Sequence, residues 1–372
     1  MGRRDSLDLA GRSLWRGLTS KSVFPLATGL LLVVVAFTTV HAFVAAGYLA
    51  AIPESYLLRR PDDSWIHVSH EVAKLKRSGP KGEPVILIGG SAANESFDDP
   101  ASLEGSVNSH LREQVSVVAL TYRDFSWTEA LAIVDNLPKA HGLIVLFVSP
   151  SSFTLSWDRS EGQLRGKPLL LASKSLRHVM AERFGSSSLD PTISLGLLEY
   201  LASYAKQHLI RGYPVPSTYE QRLFAPGYQL TRSAKRVAAS RPVLTPVFEA
   251  RLFSRYFLLM LETIREAQTR GYRVALIESP LNLEVVSRPW SGHLDYYRTA
   301  CSVAAAATGI SYVDLSFKAG LHDGDFIDLS HLNEHGRQHY QPALAWGLVT
   351  LLKGGYPERE RPQGRPEADL RD

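Results

Sequence analysis

The sequence predicts an α/β fold with a parallel five-stranded sheet. The first observation is a set of short apolar runs, Val85–Ile88, Val115–Leu120, Leu143–Val148, Tyr272–Ile277 and Ile310–Val313. The second is that helical stretches separate these runs. The third is that the runs are apolar throughout, without the apolar/polar alternation of a one-sided sheet, as expected of strands covered on both faces.

At 372 residues with 45% hydrophobic content, the chain is long enough for a substantial core. The net charge of +4 is mild, and Lys and Arg are scattered without interleaved aromatics. That pattern excludes a nucleic acid as the expected partner. The single cysteine, Cys301, lies in an Ala-rich stretch and is read as a small core residue.

Residues 1–22 are polar and carry Arg3, Arg4, Arg12, Arg16 and Lys21, and they are expected to form a cytoplasmic tail. Residues 23–52 carry no Asp, Glu, Lys or Arg, and the run exceeds the roughly 20 residues that span a bilayer. It is also longer than the roughly 7–15 residues of a signal-peptide core, so an uncleaved transmembrane helix in contact with lipid is expected over 23–52. The basic N-terminal flank orients it N-in, C-out, against the weaker pull of Arg59 and Arg60. This implies a single-pass protein of the cytoplasmic membrane with an extracytoplasmic domain.

Residues 53–83 read as a connector. It contains a short amphipathic helix near 68–76 and a turn-rich end, Ser78–Pro84. The α/β domain follows over 84–353. Its helices are expected at 100–113, 127–137, 248–270, 293–308 and 335–353. Residues 151–245 break the strand–helix rhythm and read as a helical insertion, with patches near 168–184 and 193–210. Residues 354–372 are rich in Pro, Glu and Arg and read as a disordered tail. 

The chemistry concentrates at two points. Gly89-Gly90-Ser91 ends the first strand, and Asp328-Leu329-Ser330-His331-Leu332-Asn333 precedes the last helix. In a doubly wound sheet, ligands sit at the carboxyl ends of the strands, where both stretches open. A serine needs a base to become nucleophilic, and a carboxylate fixes the tautomer of that base. Ser91, His331 and Asp328 are therefore the candidate nucleophile, base and orienting acid. His331, His335 and His339 recur at helical spacing and, with Asp328, form a rival metal set. However, Gly336 interrupts the stretch and no H-E-x-x-H is present, so no metal site is assigned. The glycines before Ser91 also lack the G-x-x-x-x-G-K-[ST] pattern of a phosphate loop.

These two motifs, with the order of elements over roughly 84–353, resemble the SGNH (GDSL-type) hydrolase superfamily. The resemblance implies a flavodoxin-like domain, Ser91 as nucleophile and the Asp328–His331 pair as acid and base, with no cofactor. The chain departs from the family pattern in three places. Gly-Gly-Ser replaces Gly-Asp-Ser, Thr121–Ser126 carries no oxyanion glycine, and Ser149-Pro150-Ser151-Ser152-Phe153 carries no oxyanion asparagine. Substitute oxyanion donors are the Ser91 backbone N–H with Asn94, Ser151 or Ser152. Tyr122 and Arg123 are candidates to meet substrate.

With its expected anchor, the chain is similar to the D-alanyl transfer proteins of teichoic-acid D-alanylation and to the SGNH-like acetyltransfer proteins of alginate and other exopolysaccharides. That likeness implies acyl transfer or ester hydrolysis on a cell-envelope polysaccharide or acyl carrier, beside a multipass membrane-bound O-acyltransferase. The alternative is a catalytically inactive SGNH-like binding or scaffold subunit of such a complex.

Overall fold

A computed structural model describes residues 24–57, 64–80, 82–122, 125–153, 173–184, 228–235, 250–285 and 288–354. The sheet has five parallel strands, β1 (Glu83–Gly89), β2 (Val115–Thr121), β3 (Gly142–Val148), β4 (Tyr272–Glu278) and β5 (Ser311–Asp314), in the order β2-β1-β3-β4-β5. This is the flavodoxin-like order. Each expected strand is present, extended or shifted by a residue or two at its ends.

Alternation along each strand sends neighbouring side chains to opposite faces. Ile86 and Ile88 of β1 pack with Ile144, Leu146 and Val148 of β3 in one core layer. Val85, Leu87, Leu143, Val145 and Phe147 pack in the other. The first layer is covered by α3 (Ser64–Ser78), α6 (Trp127–Asn136), α8 (Ala250–Thr269) and α9 (Arg288–Thr308). The second is covered by α5 (Pro100–Asn108) and α10 (Glu334–Leu352). The chain leaves β1 toward β2 over one face, then returns past β1 to β3 over the other. Right-handed crossovers require that change of face when the direction reverses. The reversal makes the carboxyl end of β1 the topological switch point, and Ser91 sits there.

The helices start and stop for local reasons. Asp99 caps α5, its side chain accepting from Ser102 N at 2.8 Å, with Pro100 in the first turn. The expected extent to 113 is cut short at Asn108, whose side chain bonds both the N–H and the carbonyl of Val115 and so starts β2. Ser126 and Glu129 form a capping box at α6. Asn333 caps α10, accepting from Gly336 N at 2.9 Å. The connector holds more helix than its sequence predicts, α2 (Glu54–Leu57) and the longer α3.

The expected transmembrane helix finds no support in the structure. Among the described residues, no helix is long and apolar enough to cross a membrane. The helix does not continue over the whole of 23–52. A helix, α1, spans Phe24–Ala45, and only some of its side chains are among the described residues. Gly47 then turns the chain with φ of 77°, and Tyr48–Ala51 forms a 3₁₀ turn. Residues 46–52 belong to the folded body: the Ile52 carbonyl and the His70 ring of α3 are 2.9 Å apart.

Residues 1–23 and 355–372 lie outside the described residues, as does most of 151–245. Of the two helical patches expected there, the first is observed as α7 (Lys174–Phe184), and 193–210 lies outside the described residues. α7 packs into the first core layer through Leu176, Val179 and Met180.

Glu129 ties three elements together. It is fully buried, and its carboxylate accepts from Trp65 Nε1 (2.9 Å) of α3, Tyr122 OH (3.0 Å), Ser126 N (3.0 Å) and Ser126 Oγ (2.8 Å). Glu129→Ala strands those buried donors. It is expected to destabilise the chain by at least about 3 kcal/mol, read as a lower midpoint in urea unfolding with fluorescence of the Trp65 region altered.

Candidate functional site

The carboxyl end of β1 leads through Gly89 and Gly90 into α4 (Ser91–Asn94), a single turn. Gly89 is required by close approach. A Cβ there would lie 2.7 Å from Phe147 Cβ and 2.9 Å from Ala93 Cβ. Gly90 is the N-cap and contributes no capping side chain. Ser91 is thus the first residue of a helical turn, where backbone N–H groups have no carbonyl partner within the turn.

His331 arrives from the other end of the chain. Residues 326–332 fold back on themselves: Ile327 N donates to His331 O at 2.8 Å, and Phe326 bridges Leu332. Within that turn the Asp328 carboxylate accepts from Ser330 N and His331 N, both at 2.9 Å. It also meets the His331 ring, whose Nδ1 lies 2.8 Å from Oδ2 and 3.0 Å from Oδ1. Those contacts make Nδ1 the protonated nitrogen, so Nε2 is the acceptor. His331 Nε2 is 2.8 Å from Ser91 Oγ. The three candidate residues therefore form a continuous Ser-His-Asp array.

Burial opposes ionisation of Asp328. The hydrogen bond and charge of His331, with the two backbone N–H groups, outweigh it and hold the carboxyl below its usual range.

α10 brings the two halves together. It crosses back over the second face of the sheet to lie beside α5. Gln341 Oε1 accepts from Asp98 N at 2.7 Å, and Gln341 Nε2 donates to Ser102 Oγ at 2.9 Å. Arg337, one turn into α10, donates to Glu95 Oε2 (3.1 Å), Asp98 Oδ1 (3.4 Å) and the Leu332 carbonyl (3.3 Å). Glu95 is the buried C-cap of the turn that begins with Ser91. Arg337 thereby links the Ser91 turn to the residue after His331.

The remaining sequence candidates sort differently. Tyr122 is buried, donates to Glu129 and packs against Trp65 and Phe125, so it is a core residue and does not face a substrate cleft. Arg123 lies outside the described residues. Asn94 closes the Ser91 turn, and its Oδ1 accepts from Thr121 Oγ1 at 3.1 Å. Ser151 and Ser152 follow β3, adjacent to β1, and both meet Ser149 Oγ, at 2.8 and 3.0 Å. The rival metal set separates: Asp328 holds His331, while His335 and His339 turn to Asp325.

Other residues of the site left no pattern in the sequence. Asn282, after β4, donates from its backbone to Leu329 O (2.8 Å) and from its side chain to Asp323 Oδ1 (2.8 Å). Lys235 is buried and donates to the Asp323 carbonyl (2.8 Å) and carboxylate (3.1 Å), while Leu230 N donates to Ile327 O at 3.1 Å. Part of the expected insertion, 228–235, thus rests on the loop that leads to Asp328.

No protein-family model matches the chain, and no curated protein matches it.

The lowered Asp328 pKa sets a sign. Its unfolded value is about 3.9. Its contribution to stability is present above about pH 4 and is lost as pH falls through the lowered folded value. Urea unfolding between pH 2 and 6 is expected to show an acid limb that is shallower in Asp328→Asn than in the wild type.

Proposed function

We propose that the chain is a serine-dependent acyl-transfer or ester-hydrolysing enzyme of the SGNH type, acting on an acylated cell-envelope polysaccharide or its acyl carrier. The observation that carries this is the pair of 2.8 Å contacts running Ser91 Oγ to His331 Nε2 and His331 Nδ1 to Asp328 Oδ2, at the switch point of the sheet.

On this reading, Ser91 Oγ attacks the acyl carbonyl as its proton passes to His331 Nε2. Asp328 stabilises the imidazolium through Nδ1. The tetrahedral intermediate collapses, the C–O or C–S bond to the leaving group breaks, and His331 returns the proton to that group. The acyl group rests on Ser91 as an ester. Water or a sugar hydroxyl then attacks, its proton goes to His331, and the Ser91 ester bond breaks. The backbone N–H groups at the start of α4 are positioned on the nucleophile's own side of this reaction.

The envelope setting is part of the same proposal. Residues 24–45 carry no Asp, Glu, Lys or Arg, and Leu30, Leu31, Leu32, Val34 and Val35 are all exposed. An apolar surface on successive residues around a helix needs a cover, and a bilayer supplies one. We take the uncharged run 23–52, of which this helix is part, as an anchor to the cytoplasmic membrane, N-in and C-out, with a multipass membrane-bound O-acyltransferase as partner; the sequence carries this reading, since the described residues alone do not make a membrane span.

A fluorophosphonate probe is expected to label the full chain at Ser91, and p-nitrophenyl acetate to give an acyl-enzyme burst. Ser91→Ala should abolish labelling, and His331→Ala should slow it by at least roughly 10²-fold. Absence of Ser91-dependent labelling and burst would overturn the enzyme reading in favour of a scaffold with the same fold. 

The anchor has its own test. The full chain is expected to sediment with membranes and to resist carbonate extraction, whereas a chain lacking residues 1–45 should be released. Release of the full chain by carbonate would refute the anchor and leave the Ser91 chemistry untouched.

A further inference from the structure

The acid–imidazole cluster beside the Ser-His-Asp array is a separate feature. His335 and His339 lie one turn apart on the first part of α10, with ring centroids 4.2 Å apart. Both face Asp325, at the end of the 3₁₀ turn Asp323–Asp325. Asp325 Oδ1 is 2.6 Å from His335 Nδ1 and 3.5 Å from His339 Nδ1. One ligand atom from each of the three residues lies within 4.8 Å of the others.

We propose that Asp325, His335 and His339 form a binding site for a divalent first-row transition ion, with Zn²⁺ the favoured occupant. The donor set is the argument. Two imidazoles and one carboxylate suit zinc and its neighbours, whereas Ca²⁺ and Mg²⁺ demand oxygen ligands. At metal–ligand distances of about 2.0–2.2 Å, tetrahedral ligand atoms stand roughly 3.3–3.5 Å apart. The Asp325–His339 separation already matches. The Asp325–His335 separation must open by under about 1 Å, and the His335 side chain, 66% exposed, has room to do so.

The carboxylate is the fixed member. Asp325 is 4% exposed, and its other oxygen accepts from His322 N at 2.8 Å. That bond orients the ligating oxygen, as outer partners do in metal sites. Three protein ligands leave at least one position for water on the exposed side. Among the described residues, Glu54, His67 and Glu71 form a second close group. It offers one imidazole, and Lys74 already pairs with Glu71 at 2.6 Å, so it is the weaker claimant and serves as the control.

The site joins the 3₁₀ turn to the start of α10, and the segment between them carries Asp328 and His331. Bound metal would brace that segment from outside without touching the Ser91–His331 contact. This inference is independent of the acyl-transfer reading and is tested without activity.

The test uses untagged, chelator-treated full chain, titrated with Zn²⁺ by calorimetry and with Co²⁺ by visible absorption. The expected result is one equivalent bound, with Co²⁺ d–d bands of a four- or five-coordinate nitrogen–oxygen site and a raised melting temperature. His335→Gln and His339→Gln should each weaken binding by more than the roughly 10- to 100-fold that an outer partner is worth. Both side chains are substantially exposed, and far-UV circular dichroism verifies the fold of each variant. His67→Gln should leave binding unchanged. Failure to bind either ion at micromolar concentration, or binding that survives both α10 substitutions, overturns the proposal.

Discussion

One carboxylate organises the centre of this molecule. Asp328 accepts from two consecutive backbone N–H groups and from the ring of His331. The backbone bonds hold its own turn shut. The ring bond then fixes both the direction of the imidazole and the nitrogen that carries the proton. A histidine tethered at Nδ1 presents Nε2 as an acceptor, and that nitrogen is the one facing Ser91. Without the carboxylate, the turn would lose its internal acceptor and the ring its tautomer.

The rest of the fold delivers a partner to that ring across 240 positions of sequence. Parallel strands place every carboxyl end on one edge, so Ser91 is presented, half-buried, at the switch point once β1 stops at Gly89. α10 must then return across the sheet far enough to set its N-terminus beside β1. Its packing on α5 provides that reach, and Arg337 with Glu95 sets the final register between the two turns. Glu95 and Arg337 are 1% and 12% exposed as side chains. Removing Glu95 would leave Arg337 its longer contact with Asp98, at 3.4 Å, and removing Arg337 would take a cationic partner from a buried carboxylate. The linkage therefore acts as a positioning device more than as a surface ion pair.

Much of this was readable in advance. Buried parallel strands announce themselves as apolar runs, and D-x-x-H has a spacing that a single turn can close on itself. Asp328 and His331 are three residues apart, so their contact is local. Ser91 could be attached only because a parallel sheet imposes a common edge. Contacts without either support were invisible. Arg337–Glu95 and Asp325–His335–His339 join segments through tertiary packing, and Asp328, grouped in the sequence with all three histidines, meets only His331 of them. Tyr122 was misread for a different reason. Period-2 alternation carried one residue beyond β2 puts Tyr122 on the same side as Leu120, in the first core layer. The helix expected over 23–52 was drawn too long because composition does not register the turn at Gly47.

The two halves of the array are unequally built. The Asp328–His331 half is complete, with every side-chain polar atom of the two residues in a hydrogen bond. On the acyl-transfer reading, the oxyanion side is less fixed. Asn94 Oδ1 accepts from Thr121, which orients the amide whose Nδ2 is its donor, Ser151 and Ser152 meet Ser149, and Tyr122 donates to Glu129. The backbone at the head of the Ser91 turn adds N–H groups, and its N-cap glycine brings no side-chain oxygen to compete for them. One missing oxyanion donor costs about 10²- to 10³-fold in rate. An activated acyl donor, such as a thioester or an acyl chain handed over by a partner, tolerates that loss far better than a stable ester, because less of its barrier lies in charging the carbonyl oxygen. On the acyl-transfer reading, a firmly oriented Asp328–His331 pair beside an oxyanion site built mainly from backbone N–H groups is therefore the division of labour expected of a chain that receives an already activated acyl group and passes it to a sugar hydroxyl.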